Sequence, residues 1–438
     1  EGATLAQLFY LLGVEPVRDQ FGRVLDIRLI PEDILQRPRI DVVVQTSGQF
    51  RDLAASRLSL LQKAIDMAAE SGDQGTNYVA KGKVDAEKVL LNKGYSPKDA
   101  RELSTTRIFG GVNGMAGTGI TGMVESGSQW ENENEIARVY LNNMGATYGD
   151  SKNWGNFREG VFEAALQNTD LVIQPRQSHT WGALSLDHVY EFMGGMTLTV
   201  RNVTGKDPDN YFNDLRNRYN ARAQTLQAAI GVESRTTILN PTYIKEQLKG
   251  GASSASGFTE VVKNTYGWNV MKPSAIDNRL WNDIYDVYVE DKHDLLIKDF
   301  FRKESPAALQ EMTAVMLETI RKGYWKASEE QISRLSALHS EMVQEFDAAC
   351  SGFTCDNPSL INFISRYLDP QQAQQYQQKI DDAVKVAISG EKSMVLKKEE
   401  ASNGEQQRQF NGVRVAIITF VSISLLILLF YFVRRRRK

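Results

Sequence analysis

Histidine and cysteine are scarce in this chain of 438 residues, which holds four of the first and two of the second. Cys350 and Cys355 lie five apart in "CSGFTCDNPS", a Gly-containing turn between two helical patterns. Two ligands do not make a structural zinc site, so the pair reads better as a local disulfide, which suits an oxidising compartment such as a periplasm. Excess basic charge is missing too: 51 Lys and Arg against 54 Asp and Glu leave a net charge of −3. Without a basic stripe, nothing points to nucleic acid as a partner. The Gly-rich stretch "FGGVNGMAGTGITG" at 109–122 is not followed by "GK[ST]", which argues against a P-loop, and it lacks dinucleotide-binding spacing after a convincing strand. Close backbone approach, to a neighbouring element or to a flat ligand, explains it better.

One stretch lacks charge altogether. Residues 415–433, "VAIITFVSISLLILLFYFV", span roughly 29 Å as a helix, close to the hydrocarbon thickness of a bilayer, and run into the basic end "RRRRK". Tyr431 and Phe432 suit the membrane interface, and five cationic residues at 434–438 outweigh Arg408 and Arg414 on the other flank. The expectation is a single-pass membrane protein with a periplasmic (extracytoplasmic) body and a cytoplasmic C-terminus. A tail-anchored cytoplasmic protein is the alternative.

The remainder is of ordinary composition, 42% hydrophobic and 24% charged, with length enough for two or three cored domains. The sequence opens at Glu1 and enters a helical pattern at once, and is read as the C-terminal part of a longer chain. Strands are expected at "IRLI", "IDVVVQT", "DLVIQ" and "MTLTVRNV". Helices are expected over 50–70 and 83–92, in "ENEIARVYLNNMG" with Ile136, Val139, Tyr140 and Met144 at helical spacing, and in a run filling 208–395. From 392 to 414 the chain is polar and reads as a juxtamembrane linker.

Several segments, in order, resemble one family. "EGATLAQLFYLLGVEPVRD", "RPRIDVVVQTSGQFRD", "RIFGGVNGMAGTGI", "EIARVYLNNMGATYG", "GGM", "LNPTYI", "YGW" and "IRKGYW" are similar to the C-terminal half of the cobaltochelatase large subunit (CobN) and the magnesium chelatase H subunit. The resemblance implies an α+β, predominantly helical multi-domain chelatase-like fold, here with a C-terminal transmembrane helix. The domains expected are a tetrapyrrole domain over 1–326, a helical extension with the Cys350/Cys355 turn over 327–391, the linker 392–414, the membrane helix 415–433 and the basic tail 434–438. Such proteins bind a tetrapyrrole in a cleft and move a divalent metal into it, usually with separate ATPase subunits.

The departures matter as well. Where the family usually reads "YHGGM", this chain reads "FMGGM", with Met193 in the place of a histidine, and a second family histidine is missing near Gly250. His179 and His188 cluster just before Met193, in "SHTWGALSLDHVYEFMGGM", and are candidate metal ligands and, with Glu191, candidate catalytic groups; each is equally readable as a hydrogen-bonded structural residue. Arg51, Arg107, Trp130, Trp181 and Met193 are the candidate substrate-binding residues. The arginines could hold acidic side chains of a tetrapyrrole or form ion pairs, Arg51 with Asp52, and Met193 could simply fill the core. His293 and His339 are assigned to helical surface patterns with structural roles.

Three functions follow from this resemblance. An extracytoplasmic body cannot draw on cytoplasmic ATPases, so the leading expectation is a membrane-anchored protein similar to haem-utilisation members of HmuS type, releasing iron from haem, by reduction if a nicotinamide cofactor supplies electrons, though no motif supports one. Haem-uptake transporter or receptor components would be its partners. The alternatives are cobalt insertion into a corrinoid precursor with ATPase partners, and a non-catalytic haem carrier.

Overall fold

The computed structural model describes residues 2–112, 115, 117–217 and 219–390. It has a compact unit Glu1–Ala387, and a second unit Ile388–Lys438 of which only 388–390 are described. The expected mostly helical α+β character is present, with many helices and three small sheets. The membrane helix included in the expected fold class has to be corrected. Among the described residues no helix is long and apolar enough to cross a membrane. Residues 415–433, the linker and the basic tail lie outside the described residues. The anchored, periplasmic placement built on that segment, with its membrane and haem-uptake partners, is withdrawn with it.

The first sheet is a hairpin of β1 (Val14–Arg18) and β2 (Val24–Leu29), which contains most of "IRLI". The second is β3 (Val44–Thr46) parallel to β4 (Ile108–Gly110), with β5 (Ala146–Thr147) antiparallel on β4. Only the end of "IDVVVQT" pairs as a strand; at its beginning the Ile40 N–H donates to the Leu11 carbonyl, and Arg107 ion-pairs Asp41. An N-terminal core of Phe9, Leu12, Leu58, Leu61, Ile65 and Tyr148 packs the helices Gly2–Leu12 and Ala55–Ala69 near this sheet.

The third sheet corrects two expectations. β6 (Leu171–Arg176) contains "DLVIQ" from its second residue, but its partners are β7 (Asp209–Asp214), parallel, and β8 (Arg222–Thr225), antiparallel to β7. Both lie in the stretch expected to be wholly helical. Conversely "MTLTVRNV" is not a strand but part of the helix Gly195–Thr204. Burial of residues 195–200 on every face outweighs their β-branching, and the buried hydroxyls of Thr197 and Thr199 are satisfied by donating to the carbonyls of Met193 (2.8 Å) and Gly195 (2.7 Å).

The main core is helical. The helix Ala252–Met271 is buried from Val262 to Met271, and Pro306–Arg321 and Glu329–Phe346 pack onward from it. Cys350 and Cys355 form a disulfide. Within its loop Phe353 is buried edge-on against Tyr266, ring centroids 5.6 Å apart. His339 lies in a helix as expected, yet it is buried rather than at the surface, with Nδ1 3.1 Å from the Gln310 carbonyl and 2.9 Å from Thr313 Oγ1.

Candidate functional site

Between the short helix Asp187–Val189 and the helix Gly195–Thr204 the backbone widens into one π-helical turn, Tyr190–Gly194, a local irregularity often found at functional sites. The turn carries Glu191, whose carboxylate is buried (4% exposed) and therefore needs partners. Thr118 supplies two: its backbone N–H and its hydroxyl both donate to Glu191 Oε1, at 2.8 and 2.7 Å. Asn143 Nδ2 donates to the Thr118 carbonyl at 2.8 Å and fixes the loop from the other side. A Cβ on Gly117 would sit 2.9 Å from Glu191 Oε1, and Gly119 takes a φ of +78° with a Cβ position 2.5 Å from Asn143 Nδ2. Gly117 and Gly119 thus serve close approach to a neighbouring element.

The other carboxylate oxygen faces His188. His188 Nδ1 lies 3.3 Å from Glu191 Oε2 and 3.0 Å from Asp187 Oδ1. Both oxygens belong to carboxylates, which accept, so the tautomer with its proton on Nδ1 would leave the lone pair on Nε2. The His188 side chain is 64% exposed, so the ring is accessible while its Nδ1 side rests against the two carboxylates. Its edge meets Phe192, with ring centroids 6.1 Å apart.

A hydroxyl braces the inner side of the turn. Tyr140, buried in the helix Glu133–Met144, donates to Gln45 Oε1 and lies 3.0 Å from the Phe192 carbonyl. Burial, with the Glu191 charge nearby, pushes its phenol above the usual range, so it remains a neutral donor. Gly195 lets the Tyr140 ring in: a Cβ there would be 2.4 Å from the ring.

Of the candidates read from the sequence, only His188 and Glu191 come together. Met193 is buried in the main core. Arg51, 8% exposed, donates to Asp52 (2.9 Å), the Gly111 carbonyl (3.2 Å) and Tyr148 Oη (3.1 Å), so it ties the glycine loop to the N-terminal core. Arg107 is buried at 1% and engaged by Asp41 and the Ser104 and Thr106 carbonyls, the structural reading of that residue. Trp130 is buried beneath the Lys322 ammonium, 3.5 Å from its ring centroid, and Trp181 stacks under Arg176 at 5.7 Å. His179 lines a different pocket with the polar residues Asp214, Arg216, Asn217, Asn220 and Arg222. Among the described residues no group of three or more His, Cys, Asp or Glu could hold a metal ion.

Sequence reasoning missed Thr118, Asp187, Gln45 and the bracing role of Tyr140. Thr118 had a signal, since it stands between two glycines; Gln45 had none.

A sequence profile described as CobN/Magnesium Chelatase matches residues 1–332. An uncharacterised protein of Methanocaldococcus jannaschii is 31% identical over 349 residues, 79% of this chain and 28% of its own. The chloroplastic magnesium-chelatase subunit ChlH of Oryza sativa subsp. indica is 28% identical over 79% of this chain and 24% of its own, and the aerobic cobaltochelatase subunit CobN of Pseudomonas aeruginosa 29% over 74% and 26%. The solved catalytic subunit of cobaltochelatase from Mycobacterium tuberculosis superposes with a TM-score of 0.70 at 26% identity, covering 77% of this chain and 28% of that one. The chain therefore spans about a quarter of the length of these relatives. From the profile match over 1–332 and the shared fold, the chain belongs to the CobN/magnesium chelatase family.

Proposed function

We propose that this chain forms part of a tetrapyrrole chelatase, and that His188, oriented by Asp187 and Glu191, handles the protons that metal transfer moves. Inserting a divalent ion into a free tetrapyrrole forms metal–nitrogen bonds and releases the inner N–H protons, two from a porphyrin and one from a corrin. An accessible imidazole with its lone pair on Nε2 can take such a proton, and the two carboxylates beside Nδ1 stabilise the imidazolium that results. The observation that carries this reading is the His188–Glu191 contact at 3.3 Å on a π-helical turn locked to the glycine loop through Thr118. Family membership supports tetrapyrrole and divalent metal as the substrate classes, with the named relatives being cobalt and magnesium chelatases.

Release of iron from haem is the same proton traffic reversed. That reading rested on an extracytoplasmic body and on the two missing family histidines; with the placement withdrawn its main support is gone, and metal insertion leads. The test is stopped-flow absorbance of the full-length protein with its ATPase partners, following Co²⁺ or Mg²⁺ entry into a free-base tetrapyrrole and, in parallel, metal loss from haem. His188→Ala and Glu191→Gln are expected to slow the chemical step by 10²-fold or more, roughly the general-base range, while leaving tetrapyrrole binding within a few-fold. Parental rates in both variants, with unchanged melting, would overturn the assignment.

A further inference from the structure

We propose a small-oxyanion site, for a phosphate or carboxylate group, in the polar cavity at the carboxyl ends of β6 and β7. Both parallel strands stop there, and their last residues, Arg176 and Asp214, stand side by side in register, with Arg222 of β8 opposite Asp214 on the far side. Three residues from adjacent strands thus form one row, basic, acidic, basic. The cavity beside it holds about 230 Å³ and is lined by His179, Asp214, Arg216, Asn217, Asn220 and Arg222, without an apolar residue among them. Carboxyl ends of parallel strands are where open α/β sheets commonly receive ligands.

The charge balance favours an anion. Among the described lining residues Asp214 is the only acid, and it is consumed: Arg216 donates to its two carboxylate oxygens at 2.8 and 2.7 Å. That pairing holds the Asp214 carboxyl down to about 2, so it stays charged and bound to Arg216. Arg222 reaches Asp214 only at 3.9 Å, with its side chain 69% exposed. Arg176 gives Nη2 to the Trp181 carbonyl at 2.6 Å, while its Nε is buried without a hydrogen-bond partner. Burial and the Arg216 charge pull the Arg176 guanidinium below its usual range, although Glu233 and Asp214 act the other way. Among the described residues three guanidiniums thus stand against Asp214 and the more distant Glu233, whose Oε2 accepts the Leu184 N–H at 3.0 Å. An oxyanion between Arg222 and Arg216, with His179 as a third donor, would relieve this excess.

This site does not depend on the function proposed above. The group could come from free phosphate or from a peripheral carboxylate of a tetrapyrrole, and two probes separate the sources. Inorganic phosphate is titrated into the full-length protein by calorimetry. A porphyrin dicarboxylate is compared with its dimethyl ester by absorbance, with and without phosphate. The expected result is saturable phosphate binding that weakens at least tenfold in Arg222→Ala and in His179→Phe, both at accessible positions, with unchanged melting. If phosphate also competes with the dicarboxylate, and the preference for diacid over diester is lost in Arg222→Ala, the group belongs to the tetrapyrrole; phosphate binding without competition assigns it to free phosphate. Overturning results are no saturable phosphate binding together with equal affinity for diacid and diester, or phosphate binding untouched by both substitutions.

Discussion

Thr118 gives two hydrogen bonds to one oxygen of Glu191, and through them the glycine loop and the π-helical turn hold each other in place. The loop is 73 residues upstream of the turn, so neither segment alone specifies this contact.

Thr118→Val removes the hydroxyl donor while keeping the side-chain shape and the backbone N–H. A hydrogen bond to a buried charged group contributes about 1.5–3 kcal/mol, and a loss of that size is expected in urea denaturation, together with slower metal transfer. Thr118→Ser restores the donor and should recover most of both. Equal stability of Thr118→Val and the parent would show that Glu191 does not rely on this bond.

Met193→His writes the family's imidazole back into "FMGGM". Met193 is 3% exposed within the main core, so the new ring has to be buried there. A destabilisation of about 1–3 kcal/mol, without gain of metal affinity, is expected by thermal melting and Co²⁺ titration. Tighter Co²⁺ binding at parental stability would show that this position faces the substrate.

His339 predicts a pH dependence. Nδ1 faces the Gln310 carbonyl, an acceptor, so it carries the proton, and Nε2 is buried without a partner. Burial lowers the folded pKa from 6.5 to about 4. The unfolded chain therefore binds this proton first: the contribution is complete above about 6.5 and is lost as pH falls toward 4, about 3 kcal/mol at the limit. Urea midpoints of the parent and His339→Phe at pH 7 and 4.5 test it. The variant should lose less stability on acidification, and parallel slopes would remove His339 as the cause.

Reduction of the Cys350–Cys355 bridge frees a short loop that carries Phe353 onto Tyr266. For a loop this small, chain entropy sets a loss of about 2 kcal/mol. Thermal melting of Cys350→Ser with Cys355→Ser should register it, and thiol alkylation of the native protein should be negligible before reduction. Rapid alkylation of untreated protein would argue against the bridge.

Much of the local structure was determined by the sequence alone. Ile136, Tyr140 and Met144 at helical spacing mark the buried face of their helix, two cysteines five apart can close only a short loop, and collinear motifs carry the family over residues 1–326, where the profile matches 1–332. These depend on periodicity and order, which lie along the chain. Tertiary structure decided the rest. "MTLTVRNV" is β-branched yet helical, because burial on all faces outweighs intrinsic propensity. Arg107 and Met193 looked able to meet a substrate until Asp41 and the core claimed them. His179 and His188, nine positions apart, parted company because a strand end took one and a helical turn the other. Whether a polar side chain is free for chemistry depends on which partners the fold brings within about 3 Å of it, and those partners came from segments far away in sequence.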